Sequence, residues 1–356
     1  MNSRTRVVWR IDRAGSLGRL KKQADTLPPP GPGEARVRIQ AVGLNLADVF
    51  ACLGLYSATP KGPFVPGLEF AGMIEELGPP GDERGGATAT SLGPGDAVFG
   101  MTRFGAYATA INAHVRLLGR IPRGWSAAEG AALPVQGLTA WYGLVELARV
   151  EQGEVVLVSS AAGGVGLLAL AILRSLGARV VGTVGREEKR RFLIEARGLS
   201  PDQVIVRDRR RFGDQLDRAL AAMGVRGLDV VFDAVAGPFL EPAFSRLRPR
   251  GRLVVFGAAD FMPRGRSRLD PRLLVKYVRR WRIDPLWLMT RNRSIMGFNL
   301  IWLGDQAGRL PEGYAALERT SVEPPFIGRR FPFDEAPAAL GFLKSGESMG
   351  KVVLET

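Results

Sequence analysis

The sequence predicts an α/β protein of two domains, a doubly wound parallel sheet domain beside a mainly β domain of the partly open barrel kind. Three observations predict it. A chain of 356 residues exceeds one typical core. From about Ala127 onward, short apolar runs alternate with helical periodicity, the mark of crossover units on a parallel sheet. Before that point the chain is rich in Gly and Pro, with short β-like runs between turn signals.

The first region has strand-like runs at Arg36–Val42 and Ala97–Gly100, and turn signals at Pro28–Gly33 and Pro94–Asp96. Pro79–Gly95 reads as an exposed loop. Ala128–Ala148 reads as helical with a break at Leu133-Pro134. Strands follow at Val155–Val158, Arg179–Val184, Val204–Val206, Asp229–Asp233 and Arg252–Gly257. Helices at Leu167–Leu176, Glu187–Ala196 and Phe212–Met223 separate the first four of them. Phe261–Asp284 is a basic, Pro-containing excursion, and Ser294–Phe298 reads as the last strand of the domain. Arg330–Phe333, a helix over Pro337–Lys344 and Lys351–Leu354 return to the first domain. The boundaries read as 1–128, 129–302 and 303–356, the first and last forming one domain.

Composition excludes several chemistries. There is one cysteine, Cys52, and one histidine, His114, so neither an internal disulfide nor a structural zinc site can form. The same scarcity argues against a catalytic zinc, and no metal is expected. Cys52 reads as a small buried apolar residue and His114 as a structural residue at a strand edge. Met1–Arg10 does not read as a signal peptide. Val155–Leu173 is uncharged, but Ser159-Ser160 and Gly163, Gly164 and Gly166 break it into strand, turn and helix, so no transmembrane segment is expected. These readings point to a cytoplasmic, reducing location. The net charge is +14, from 49 basic and 35 acidic residues, with arginine clusters at 207–211, 246–252, 264–268 and 279–282. They read first as solvated surface, with a phosphate-bearing ligand or a polyanion as the functional alternatives. Aromatic residues are not interleaved as in RNA-binding sheets, which argues against nucleic acid.

The strongest motif is Ala161-Ala162-Gly163-Gly164-Val165-Gly166, set between a buried strand and an apolar helix. Small residues let the backbone approach a pyrophosphate, and the helix N-terminus offers unpaired N–H groups to the anion. A carboxylate about 20 residues later would favour NAD by binding the ribose hydroxyls. That place reads Gly182-Thr183-Val184-Gly185-Arg186, with Lys189 following. Cations there suit a 2′-phosphate, so NADPH is the expected cofactor.

Taken together, these residues resemble a zinc-free quinone oxidoreductase of the medium-chain dehydrogenase/reductase superfamily, nearest to the vesicle amine transport protein-like branch. Four stretches carry the likeness. They are Gly43–Asp48 with Gly54-Leu55-Tyr56; Pro66–Gly72; the glycine loop with Gly182-Thr183 and Lys189; and Asp284–Leu286 with Gly297–Leu300, closing on Gly350–Leu354. Zinc-dependent relatives carry Cys at the place of Asn45 and His within Gly67-Leu68-Glu69, and both ligands are missing. Where many quinone oxidoreductases place a Tyr near the 2′-phosphate, this chain has Arg207.

The resemblance implies a Rossmann-type domain and a GroES-like domain. It implies hydride transfer from NADPH to a quinone or an α,β-unsaturated carbonyl held in the cleft between them. Tyr56 and Asn45 would be the catalytic residues, Tyr56 as a neutral hydrogen-bond donor near the acceptor oxygen and Asn45 also against the nicotinamide-ribose side of the cofactor. The cofactor set would be completed by Thr139, Ala161, Gly163, Gly164, Val165, Gly166, Thr183, Arg186, Lys189, Arg207, Phe256, Gly257, Ala258, Phe298, Asn299, Leu300 and Lys351. A homodimer is implied, with the strand near Ser294–Phe298 pairing with its copy. The alternative function is an NADPH-binding protein that acts through partners without useful turnover.

Overall fold

The structure is a computed structural model, and it describes residues 3–81, 92–265, 267–303, 313–317 and 323–356. Residues 82–91 of the expected Pro79–Gly95 loop lie outside the described residues.

The strands are β1 (Arg4–Ile11), β2 (Leu20–Leu27), β3 (Glu34–Leu44), β4 (Glu69–Leu77), β5 (Ala97–Met101), β6 (Ala110–His114) and β7 (Leu118–Arg120). After them come β8 (Val155–Ser159), β9 (Arg179–Val184), β10 (Val204–Val206), β11 (Leu228–Asp233), β12 (Leu247–Val255), β13 (Ser294–Gly297), β14 (Ile327–Pro332) and β15 (Lys351–Glu355). The helices used below are α1 (Leu46–Cys52), α2 (Ala127–Ala132), α3 (Pro134–Trp141), α4 (Gly164–Ser175), α5 (Glu187–Glu195), α6 (Phe212–Ala222), α7 (Leu240–Ser245), α8 (Pro271–Val278) and α9 (Pro285–Arg291). The chain forms two compact units. One comprises the described residues of 1–138, 263–269 and 300–356, the other those of 139–262 and 270–299.

The first unit is built on a mainly antiparallel sheet of order β14-β15-β3-β4-β5-β7, with β6 also paired to β3. β1 and β2 form a separate antiparallel ribbon, from Arg4 opposite Leu27 to Ile11 opposite Leu20. Val37, Ile39, Phe70, Phe99 and Val353 alternate inward and are buried. Helix α2 belongs to this unit because its small residues lie against the sheet. Gly130 sits where a Cβ would touch Ala71, and Ser126 and Glu129 cap the helix reciprocally. The chain therefore crosses to the second unit at 138/139, inside α3, where the sequence placed the change at 128/129.

The second unit is a six-stranded sheet of order β10-β9-β8-β11-β12-β13, all pairs parallel. In chain order this is 3-2-1-4-5-6, the doubly wound dinucleotide-binding order. Its strands read as continuous apolar runs because they are buried on both faces: Val155 to Ser159 are all buried. Phe212, Leu216 and Leu220 of α6 and Phe244 of α7 pack with Leu157, Val181, Val231 and Leu253.

The excursion after β12 folds into α8 and α9, which bury no residue. Leu274, Val278, Leu286, Trp287 and Met289 are exposed there. β13 beside them pairs, among the described residues, with β12 alone. Among the described residues no helix is long and apolar enough to cross a membrane, and Val155–Leu173 divides into β8, a turn and α4.

Candidate active site

The glycine loop lies where the sequence placed it, but α4 begins at Gly164, three residues before the apolar run that announced it. Gly163 is its N-cap and supplies no side-chain bond, so the first-turn amides of Gly164, Val165 and Gly166 have no intrahelical acceptor. The turn is tightly built. Ser160 adopts a left-handed φ of 52°, the Gly163 N–H donates to Ser160 O at 2.8 Å, and the Ala161 N–H donates to Thr183 O at 3.0 Å. A Cβ on Gly166 would lie 2.5 Å from Ser160 O and 2.6 Å from Ala161 O, so only glycine fits. Open amides, a helix dipole and no acidic residue in the first turn make this a cradle for an anion, and the residues present fit a dinucleotide pyrophosphate.

At the adjoining strand ends β9 is followed directly by Gly185 and Arg186, with Glu187 and Glu188 coming only in the first turn of α5. Arg186 is the N-cap of α5 and Lys189 lies in its first turn. Glu187, the nearest acidic neighbour, is engaged by Arg190 at 3.1 Å. Arg207, just after β10, turns back to β9. Its Nη1 donates to Thr183 Oγ1 at 3.0 Å and to Thr183 O at 3.3 Å, and its guanidinium lies 5.4 Å from the Phe239 ring. Burial lowers the Arg207 pKa, opposed by the fields of Asp233 and Asp260. Those carboxylates are committed elsewhere. Asp233 accepts from the N–H groups of Val235 (3.1 Å) and Ala236 (2.6 Å), while Asp260 pairs with Lys276 at 3.0 Å. Arg207 thus makes no ion pair among the described residues, and the geometry leaves it suited to an anionic ligand.

Beyond β11 and β12, Phe256 stacks on Phe232 at 4.2 Å and on Phe298 at 6.1 Å, and Phe298 meets Tyr142 edge-on at 5.0 Å. Gly257 lets the chain pass Ala234, whose carbonyl oxygen a Cβ would meet at 2.5 Å. Ala258 is exposed and Asn299 partly exposed, Thr139 is buried in α3, and Leu300 is buried at the start of a helical turn in the other unit.

The first unit holds a buried polar network. Lys351 of β15 pairs with Glu69 of β4, and both side chains are 0% exposed. The Lys351 ammonium also donates to Asn45 Oδ1 at 3.0 Å, and Asn45 Nδ2 donates to Glu69 Oε1 at 2.6 Å. The second Glu69 oxygen accepts from the Val135 N–H at 2.8 Å. Asp48, one turn into α1, accepts from the Asn45 N–H at 2.8 Å and from the Tyr107 hydroxyl at 3.3 Å. Burial pushes the Asp48 carboxyl up to about 7 against the Asn45 N–H and Lys351, and pushes the Tyr107 hydroxyl up as well. Burial lowers the Lys351 pKa, and Glu69 opposes it. Lys351 therefore has no surface to offer a ligand directly.

Tyr56 is partly exposed on a turn whose backbone is fixed from behind: its carbonyl accepts from the Thr59 N–H at 3.0 Å and the Thr59 hydroxyl at 2.7 Å. Next to it, Ser57 accepts from Trp302 Nε1 at 3.2 Å, and Arg103 lies 4.6 Å over the Trp302 ring.

Comparison with known proteins fits this architecture. Residues 31–159 match the alcohol dehydrogenase GroES-like domain, and residues 164–301 match the zinc-binding dehydrogenase family. The chain belongs to the medium-chain dehydrogenase/reductase superfamily of oxidoreductases. Of solved structures, it is similar to mycobacterial Rv1454c complexed with NADPH (27% identity, TM-score 0.81, 98% of this chain and 100% of that one). It is also similar to CurK enoyl reductase (26% identity, TM-score 0.78, 98% and 99%). Among curated proteins, it is 31% identical over 349 residues to a mycocerosic acid synthase-like polyketide synthase of Mycobacterium tuberculosis, covering 97% of this chain but 15% of that protein. Among the described residues of this superfamily member no group of three His, Cys, Asp or Glu side chains could hold a metal.

The sequence reading did not single out Glu69, Asp48 and Tyr107. A signal existed: Glu69 and Lys351 each open a strand and run straight into apolar residues, Phe70-Ala71 and Val352-Val353-Leu354, where a charge needs a buried partner. Cys52 is buried, and His114 ends β6 with its Nδ1 accepting from the Arg116 N–H at 3.3 Å.

Proposed function

We propose that the chain is an NADPH-dependent, zinc-free reductase of α,β-unsaturated carbonyl compounds, with quinones as the alternative acceptors. The observation that carries this reading is the anion cradle of Gly164, Val165 and Gly166 beside strand ends where Gly185-Arg186 and Arg207, rather than a carboxylate, come directly after the strands, with Lys189 in the first turn of α5. Likeness to an enoyl reductase, and to a stretch of a polyketide synthase, favours the conjugated carbonyl over the quinone.

NADPH, when bound, would supply a hydride for the β-carbon of the acceptor, with a proton completing the reduction at the α-carbon. The α4 amides hold the pyrophosphate, and Arg186, Lys189 and Arg207 read the 2′-phosphate. Thr139, Ala161, Gly163, Thr183, Phe256, Gly257, Ala258, Phe298, Asn299 and Leu300 shape the cofactor's surroundings. The Tyr56 hydroxyl donates to the acceptor oxygen as negative charge develops there. Asn45 meets the nicotinamide-ribose portion. We also propose a homodimer through the open edge of β13, supported by the exposed apolar residues of α8 and α9.

The test follows NADPH absorbance across a panel of enones, enoyl thioesters and quinones. Oxidation with enones or enoyl thioesters is expected. Tight NADPH binding without oxidation across the whole panel would remove the enzymatic reading.

A further inference from the structure

We infer that Trp302 is a positioning residue: its indole N–H, set on the Ser57 hydroxyl, holds the turn that presents the Tyr56 hydroxyl to the acceptor. The role rests on the place given to Tyr56 under the proposed function, and every residue involved belongs to the first unit.

The turn depends on an outside anchor. It follows Gly54, whose φ is 68°, and the exposed Leu55. Both bonds from Thr59 close on the Tyr56 carbonyl, so they shape the turn without tying it to another element. The Trp302 bond does tie it. It reaches Ser57 at 3.2 Å across 245 residues of sequence, from the helical turn Leu300–Leu303. An indole N–H can only donate, so the Ser57 oxygen accepts and the direction of the bond is fixed. Ser57 directly follows Tyr56, so what holds the serine holds the tyrosine backbone beside it.

Trp302 is itself 45% exposed, and packing alone does not fix its ring. Arg103 adds the missing restraint, with its guanidinium 4.6 Å over the indole. The turn that carries Arg103 is strained. Phe104 takes a φ of 131°, which residues with a side chain rarely adopt. The strain persists because the turn is pinned at both ends. The Thr102 N–H donates to Leu68 O at 2.9 Å, and the Gly105 N–H donates to Val65 O at 2.8 Å. The Thr102 hydroxyl donates to Phe104 O at 2.7 Å, and the Phe104 ring meets Phe64 edge-on at 5.3 Å. A loose loop would shed such strain by moving; here it is kept, and it sets the cation over Trp302. The contacts run from Phe104 through Arg103 and Trp302 to Ser57, and so to Tyr56.

Single-turnover hydride transfer from NADPH to the best acceptor of the panel above tests this. Trp302→Phe keeps a ring under Arg103 and removes the N–H. It should slow transfer about three- to tenfold, the worth of one hydrogen bond, with the Kd for NADPH unchanged. Added to Ser57→Ala, which removes the partner, it should cause no further loss. Added to Tyr56→Phe it should also cause none, because the hydroxyl it positions is gone. A packing role predicts the same loss in every background, so equal losses overturn the positioning role. A Trp302→Phe protein as fast as wild type overturns it too. Tyr56→Phe as fast as wild type overturns instead the place given to Tyr56, and a wild type that reduces no member of the panel overturns the reductase reading; the positioning role falls with either.

Discussion

Lys351 and Glu69 lie 282 residues apart in the chain and meet as an ion pair sealed from solvent. The pair joins β15 to β4, beside Asn45. A buried pair contributes little net stability, but removing one partner strands the other charge in a medium that cannot solvate it. Lys351→Met alone should therefore cost about 3–5 kcal/mol in urea unfolding. Adding Glu69→Gln should recover most of that loss. A single variant as stable as the double would refute this stranding of charge.

Asp48 makes stability depend on pH in the sense opposite to an ordinary salt-bridged carboxylate. Its folded pKa of about 7 stands above the ordinary 3.8, so the native state holds the proton more tightly than the unfolded chain. That stabilisation is fully present below 3.8 and is lost as pH rises through about 7. Wild type should lose stability relative to Asp48→Asn across this window, by at most about 1.4 kcal/mol per pH unit. Parallel unfolding free energies for the two proteins from acid to neutral pH would refute it.

The sequence showed the second unit more clearly than the first. Parallel strands buried on both faces announce themselves as apolar runs, and Arg179–Val184 coincides with β9. In the first unit the signal is weaker. The β1–β2 ribbon went unread because Lys21, Lys22, Gln23 and Ala24 are exposed and break the apolar alternation of β2. The strand, glycine turn and helix of Val155–Ser175 were legible because their geometry is local. The Asn45 network was not, because Glu69 and Lys351 become partners only when β15 pairs with β3 beside β4.

The cations after β9 and β10 should discriminate between the two nicotinamide cofactors. Lys189→Glu reverses, and Arg207→Leu removes, a charge assigned to the 2′-phosphate. Each should weaken NADPH about ten- to a hundredfold, the range of a charge-assisted hydrogen bond, and leave NADH nearly unchanged. Fluorescence titration with both cofactors checks this. Equal losses for the two would remove that residue from phosphate recognition.

Gly166 tests the cradle by steric means alone. Alanine is the better helix former, yet here its Cβ would press on two backbone oxygens that cannot swing aside. The loop must shift, and the α4 amides with it. Gly166→Ala should lower dinucleotide affinity at least about tenfold, a loss of some 1.4 kcal/mol, in a protein that still folds. Undiminished affinity would show that the pyrophosphate is bound elsewhere.

Tyr56 separates turnover from binding. Its turn is fixed by Thr59, whose N–H and hydroxyl both donate to the Tyr56 carbonyl, so phenylalanine should keep the ring in place and lose only the hydroxyl. A donor aimed at developing charge contributes more in the transition state than in the ground state. Tyr56→Phe should then lower kcat about ten- to a hundredfold with an enone acceptor, while the Kd for NADPH stays at its wild-type value. Stopped-flow hydride transfer and a parallel binding titration measure the two quantities separately. If kcat is unchanged, proton donation belongs to another side chain or to water; if kcat and cofactor affinity fall together, the ring is packing the site rather than polarising the acceptor.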